Sequence, residues 1–471
     1  MKFFHIADLH LGKMLHHVPL TETDQAFWVE RFLEAVDEHR PDAVVVAGDI
    51  YDRRVPPVEA VRLFDHFLTQ LARRGVYVFL IPGNHDSAVR VAHVNELLSS
   101  HRIFIAGELQ RELMHITVPG EPGKSADASV PVESGESGAA SVSGKPGEGI
   151  DVTFWLLPYI FPKAVADSRV CGREDLSSYD EAARLLLSQQ QIDTSSCNVL
   201  VAHQNVLAGG VKPQHSDSET IIGGIGEIEY TAFDAFDYVA LGHIHHAQKV
   251  GRETVRYAGC PLYYDFSELG RCKDLTMVTI RSKDDIAIER IPITLQHQIL
   301  QKTGTLSELL EEGAALRDKE SYYIQCILQD VHIPPRALEQ LREVYGDSLV
   351  NVKREIQSAA SQSQTDGEGI PGGSGAPGLE EQFAAFYQDR MQELPDARQE
   401  AILHRILEQQ SRHGTDYVQS VSEIPEEEIQ ELVELAGEET QEPAAPAGEE
   451  TQKPEELARE EAQKSETPAG E

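Results

Sequence analysis

Five apolar segments of the sequence each run into a residue able to bind a hard or borderline metal ion. Lys2–Ala7 leads into Asp8-Leu9-His10, Ala43–Ala47 into Gly48-Asp49-Ile50-Tyr51-Asp52-Arg53, and Val76–Ile81 into Gly83-Asn84-His85-Asp86. Asn198–Ala202 leads into His203, and Tyr238–Leu241 into Gly242-His243-Ile244-His245. A lone Asp or His behind a strand is usually a solvated turn residue. Five in order are another matter, because strand ends gather distant loops at one edge of a sheet, where α/β enzymes place their sites. Carboxylate, amide and imidazole donors without thiolate suit Mn²⁺, or Fe or Zn, better than Ca²⁺. Glycine before Asp49, Asn84 and His243 permits tight turns and close backbone approach.

The elements that must position these donors are legible as alternating patterns. Val29, Phe32, Leu33 and Val36 follow helical spacing between the first two apolar runs, as do Val61, Phe64, Leu68 and Leu71 between the second and third. This β-α-β-α-β order predicts parallel strands with crossover helices, an α/β class of fold. Leu113–Val118 and Val152–Leu157 read as strands flanking Gly120–Gly149, where 20 of 30 residues are Gly, Ser, Ala or Pro. That composition predicts a disordered insertion over 119–150 within one domain, which runs on through Val255–Ala258 and Leu275–Ile280 to residue 294.

Residues 295–356 read as a small α+β unit, with Tyr322–Leu328 and Leu349–Lys353 as strands and Pro335–Tyr345 as a helix. It is too small to bury a core alone and is expected to pack on the first domain. A Gly- and Ser-rich linker, 357–378, follows. Beyond it, Leu379, Phe383, Phe386, Tyr387 and Met391 share one helical face, and Ile402, Leu403, Ile406 and Leu407 share another. A helical segment at 379–412 on such a tether has a groove to fill, either on its own first domain or, since the linker lets it reach outward, on a partner. The tail, 413–471, repeats AGEETQ at Ala436–Gln441 and Ala447–Gln452, and its Glu- and Pro-rich composition predicts disorder.

Charge limits the functions open to the chain. Its 471 residues carry a formal net charge of −37, and from Glu423 to Glu471 alone 17 acidic residues face 3 basic ones. Nonspecific affinity for a phosphate backbone comes mainly from Lys and Arg displacing counterions, so composition argues against a free-standing DNA-binding domain. A nucleic-acid reading then requires bound cations, a local basic patch or a partner. The five cysteines include no C-x-x-C pair, which indicates neither a disulfide framework nor a zinc ribbon. Asp8 comes too early for a signal-peptide apolar region, and no apolar run approaches the roughly 18 residues of a membrane span. A reduced, cytoplasmic protein is the expectation.

The series D-x-H, G-D-x-x-D, G-N-H-D, a single His and G-H-x-H, running from Asp8 to His245, resembles the signature of the calcineurin-like metallophosphoesterases. The stretches HIADLHLG, VVAGDIYDRRVPP, PGNHDS and YVALGHIHHAQ are similar to the SbcD family within that superfamily, double-strand-break-repair nuclease subunits. The second Asp of G-D-x-x-D, Asp52, matches the bacterial branch; archaeal relatives can carry His there. The resemblance implies a β-sandwich flanked by helices, a capping domain at 295–356, and a C-terminal helical segment that binds the coiled coil of an ATPase partner, SbcC. It implies two divalent metal ions, Mn²⁺ first among them. Asp8, His10 and His245 would hold one, Asn84, His203 and His243 the other, and Asp49 would bridge both. His85 would serve as general acid with Asp52 as its orienter, and Arg53, with Arg54, would contact backbone phosphate. Helices around Pro57–Arg74 and Ala88–Ser99 would form a homodimer contact.

The implied activity is exonuclease on duplex ends and endonuclease on hairpins and single strands. The same donors serve many phosphoesterases, so a stand-alone enzyme acting on small-molecule or protein phosphoesters is the alternative. Cys260 stands where the family's G-S-P loop has Ser, and no redox role is read into it. His5, His16, His17, His215 and His246 lack the strand-end context and are taken as structural or exposed.

Overall fold

The computed structural model describes residues 1–355 except 121–124, 131–137, 144–149, 168, 174–175, 220–225 and 331–333. Two sheets stack face to face between helical layers. The first has strand order Asp285–Pro292, Asp274–Ser282, Lys2–Ile6, Ala43–Ala47, Tyr77–Ile81, Ile103–Ile105, and its last four strands are parallel. The second runs Gln248–Val250, Arg252–Tyr257, Tyr238–Gly242, Cys197–His203, Val152–Leu157, Met114–Val118, with its parallel block at the centre. The sandwich is the architecture that the resemblance implies.

Alternation along each strand explains why these segments read as unbroken apolar runs: both faces are covered. Phe3, Val45 and Phe79 point between the sheets towards Phe154, Val199 and Ala240, and the Phe79 and Phe154 rings stack with centroids 4.1 Å apart. Phe4, Val44, Val46, Val78 and Leu80 point the other way, under helices Ala26–His39 and Val58–Arg74. The first of these helices buries Trp28, Val29, Phe32, Leu33 and Val36, and the second ends at Gly75 in the left-handed region (φ 67°). On the far side of the second sheet, helix Tyr179–Ser188 closes a third apolar cluster with Trp155, Leu200 and Leu241. Among the described residues, no helix is long and apolar enough to cross a membrane.

The insertion differs in part from the disordered loop that its composition predicts. Ser125–Val130 and Gly138–Ser143 pair antiparallel and extend the second sheet beyond Met114–Val118. A strand ladder is made of main-chain hydrogen bonds, which small polar residues can join without any apolar periodicity.

The small unit is a parallel sheet of Gln298–Gly304, Tyr322–Leu328 and Leu349–Arg354 with helices Leu306–Ala315 and Ala337–Tyr345. Its first strand and first helix escape the sequence reading, although the Thr305/Glu308 capping box is visible in hindsight. Contrary to the expectation that it is too small to bury a core alone, Ile324, Cys326, Leu328, Leu341 and Tyr345 form its own core, because its two helices close over the sheet. Leu295, Ile299 and Val350 join the core of the first sheet. Asp24, buried, accepts hydrogen bonds from His297 Nδ1 (2.9 Å) and Tyr323 Oη (2.5 Å) across this contact. The 379–412 segment and the tail lie outside the described residues.

Candidate metal centre

All five strand-end loops meet at one edge of the sandwich. Asp8 follows Lys2–Ile6, Asp49 follows Ala43–Ala47, Asn84 follows Tyr77–Ile81, His203 ends its strand, and His243 and His245 follow Tyr238–Gly242. Asp8, His10, Asp49 and His243 all have positive φ (54°, 42°, 50° and 99°). Such backbone is costly for non-glycine residues and persists only where surrounding structure enforces it, as at functional sites. The glycines serve close approach: a Cβ on Gly83 would collide with the Asp49 side chain, and one on Gly242 with the carbonyl of Ala47 and the ring of His203.

The donors fall into two groups that share one carboxylate. In the first, His10 Nε2 lies 3.1 Å from His245 Nε2, and donor atoms of Asp8, His10 and His245 are mutually within 4.8 Å. In the second, the amide oxygen of Asn84 lies 3.1 Å from both His203 Nε2 and His243 Nδ1. Asp49 Oδ2 stands between them, 3.6 Å from His10 Nε2 and 3.3 Å from His203 Nε2. These are the seven residues that the family resemblance implies, brought together as one cluster.

Hydrogen bonds set which ring nitrogens face inward. The carbonyl of Ala47 can only accept, so His203 donates through Nδ1 (2.8 Å) and turns Nε2 to the site. Burial alone would depress the His203 imidazolium, but Asp49 beside it outweighs that and raises its pKa to about 9. Burial would likewise push Asp49 up, yet His203 and His10 hold it well below the usual carboxylate range. Asp8 is raised to about 6, chiefly by burial and with Asp49 adding to it, against the pull of His203 and His245. Two carboxylates sealed in one pocket (Asp8 0% and Asp49 2% exposed) with imidazole and amide donors and no thiolate among the seven form a set that fits divalent cations.

His85 lies at the rim, its ring 4.9 Å from that of His10. Its main-chain N–H is held by Asp49 Oδ1 (3.0 Å), and its Nδ1 donates to the main-chain carbonyl of Asp52 (2.9 Å). Asp52, the residue expected to orient His85, meets it through its main-chain carbonyl and not through its side chain. That carboxylate instead pairs with Lys13 Nζ (2.8 Å) and stands 3.8 Å from His10 Nδ1. Position 52 turns its main chain towards His85 because Asp52 N–H bonds to Leu11 O (3.1 Å), lining the loop up beside residues 8–12. Arg53 and Arg54 are exposed on the same loop. Of the histidines set aside, His5 is buried and bonded to Tyr238 and Leu241, His16 stacks on Phe266, and His215 pairs with Glu219.

Several supporting residues are given no role by the sequence. Asp86 accepts the main-chain N–H groups of Ile50 (3.0 Å), Tyr51 (2.9 Å) and Gly83 (2.8 Å), tying the second loop to the third. Gln25 and Tyr264 bond to the carbonyls of His10 and Leu9 and fix the first loop. Glu268, Lys273 and Ser218 lie behind His245. Only Asp86, inside G-N-H-D, could have been picked from the sequence; the others come from segments without motif or period.

The sandwich with this donor cluster at its edge defines a metallophosphoesterase. The calcineurin-like phosphoesterase family model matches residues 1–247, over half of the chain, and the chain belongs to that family. Members of the family are dimetal enzymes. The SbcD subunit of the SbcCD nuclease of Staphylococcus epidermidis is 25% identical over 352 residues, covering 74% of this chain and 84% of that protein. Among solved structures, a dimetal phosphatase from Danio rerio aligns with 63% of this chain and 98% of its own at 11% identity (TM-score 0.35). A protein of Thermus thermophilus aligns with 61% and 98% at 13% identity (TM-score 0.30).

Proposed function

We propose that this phosphoesterase is an SbcD-like nuclease subunit. It hydrolyses DNA phosphodiesters with two Mn²⁺ ions, as an exonuclease on duplex ends and an endonuclease on hairpins and single strands. It works in DNA repair, recombination and replication, in the cytoplasm, with an ATPase partner of the SbcC kind. The observation that carries the chemistry is the position of Asp49 Oδ2, 3.6 Å from His10 and 3.3 Å from His203, between two groups of donors. Similarity to the staphylococcal nuclease subunit, reaching 84% of its length, supports the choice of DNA and of that partner.

In this reading Asp8, His10 and His245 hold one cation, Asn84, His203 and His243 the other, and Asp49 both. Cations held by these residues would supply the acidification of a water and the polarisation of a phosphoryl oxygen. Everything else is done by the chain. His85, with its Nδ1 proton committed to the Asp52 carbonyl, presents Nε2 to hold a proton for the leaving oxygen. Arg53, exposed on the loop that carries Asp52, would contact a backbone phosphate. Asp86 and Tyr264 keep the loops from drifting as substrate enters. The cations supply the positive charge that a chain of net charge −37 lacks. Exposed Val58, Val61, Val89, Val94 and Leu97 support a homodimer contact at helices Val58–Arg74, Ala88–Val91 and Asn95–Ser99.

The test offers the purified chain, with and without Mn²⁺ and the SbcC partner, a hairpin DNA alongside a small chromogenic phosphodiester. Mn²⁺-dependent opening of the hairpin is expected. Hydrolysis of the small ester with intact DNA under every condition would instead establish the stand-alone phosphoesterase.

A further inference from the structure

A buried chain of polar groups reaches His245 through its other ring nitrogen, and the hydrolytic reading leaves it without a task. His245 Nδ1 lies 2.8 Å from Ser218 Oγ, and Ser218 Oγ lies 3.1 Å from Glu268 Oε1. Glu268 Oε2 pairs with Lys273 Nζ at 2.5 Å, and that ammonium also reaches Cys260 Sγ at 2.9 Å. Glu268 is 0% exposed and Lys273 8%.

The direction of the chain follows from what each group can do. Ser218 Oγ also meets Ser216 Oγ at 2.8 Å, and Ser216 has Glu219 Oε1 at 3.1 Å. Ionised carboxylates only accept, so Ser216 gives its hydrogen to Glu219, Ser218 gives its own to Glu268, and a Ser218 lone pair is left for His245 Nδ1–H. His245 is thereby held as the tautomer whose Nε2 lone pair faces His10, 3.1 Å away. Its main-chain N–H is fastened as well, to Glu219 Oε1 at 2.7 Å. Enclosing an ion pair is a weak source of stability, because desolvation offsets most of the attraction. Holding the partner of a ligand imidazole is a use that does need a fixed, ionised acceptor.

We propose that Glu268, kept in place by Lys273 and acting through Ser218, is the positioning group that sets the affinity of the metal position formed by Asp8, His10 and His245. It leaves the position formed by Asn84, His203 and His243 unaffected. The proposal rests on the two-metal reading above.

The experiment titrates Mn²⁺ into metal-free full-length protein, following heat and the electron paramagnetic resonance of free Mn²⁺. Wild type, Ser218→Ala, Ser218→Thr and Glu268→Gln are compared. Glu268→Gln strands the Lys273 ammonium, so Glu268→Gln/Lys273→Met runs beside it, and melting of the metal-free proteins reports folding. Wild type is expected to take up two ions. Ser218→Ala and the Glu268 variants should weaken one of the two by roughly 10–100-fold, and Ser218→Thr, which keeps the hydroxyl, should restore it. If no Glu268 variant folds, Ser218→Ala against Ser218→Thr decides. Two ions bound with wild-type affinity by the folded variants, or both weakened alike, would overturn the positioning role alone. Fewer than two ions on wild type would overturn the two-metal reading, and the proposal with it.

Discussion

His85 donates its Nδ1 proton to the main-chain carbonyl of Asp52, 2.9 Å away, while the Asp52 carboxylate faces Lys13 and His10. Any residue at position 52 that keeps the loop path keeps this contact. Asp52→Asn is therefore expected to retain both metals and to lose less than about tenfold in rate. His85→Ala, with metals retained, should lose about 10²–10⁴. Single-turnover cleavage with elemental analysis of the same samples separates the two. A loss for Asp52→Asn as deep as that for His85→Ala would return the orienting role to the carboxylate.

Asp49 contacts both donor groups and also holds the His85 main chain through Oδ1 at 3.0 Å. Asp49→Ala should abolish hydrolysis of every phosphodiester tested and leave at most roughly one Mn²⁺ per chain, since a bridging carboxylate sets the spacing of both ions. Full occupancy by elemental analysis would count against the bridge.

The small α+β unit leans on the first domain through Asp24, which Tyr323 Oη approaches to 2.5 Å. Tyr323→Phe removes a hydrogen bond to a buried carboxylate, so unfolding free energy should fall by about 1.5–3 kcal/mol. The denaturant midpoint measures it. Metal uptake should not change, because Asp24 and Tyr323 touch none of the seven donors.

Deleting 379–471 removes the tethered segment and the acidic tail but none of the donors. Mn²⁺-dependent hydrolysis of a small chromogenic phosphodiester should survive, while capture of an SbcC-type partner in a pull-down should be lost. Undiminished capture would end the proposal that this segment binds the partner.

Across the sandwich, Phe79 stacks on Phe154 at the centre of the core. Phe79→Ala should cost about 3–5 kcal/mol, read from thermal or denaturant unfolding. A loss below about 1 kcal/mol would mean that the two sheets close the gap.

The donors of the site were legible because all seven sit at the ends of five strands. A buried parallel strand announces itself as a run such as Ala43–Ala47, and the residue after it can be read without knowing where the strand goes. The same locality made the crossover helices visible. What the sequence could not show is whatever depends on two distant segments meeting. Glu268 ends a short 3-10 helix and Lys273 precedes a strand, in a stretch with no period, and their relation to His245 exists only once the second sheet is assembled. Asp52 was legible as a residue but not as a main-chain acceptor, since side-chain type says nothing about where a carbonyl points. The strands in the insertion and the first strand of the small unit escaped for a related reason: strand pairing is a main-chain interaction, and an edge strand can form it without the apolar alternation that betrays a core strand.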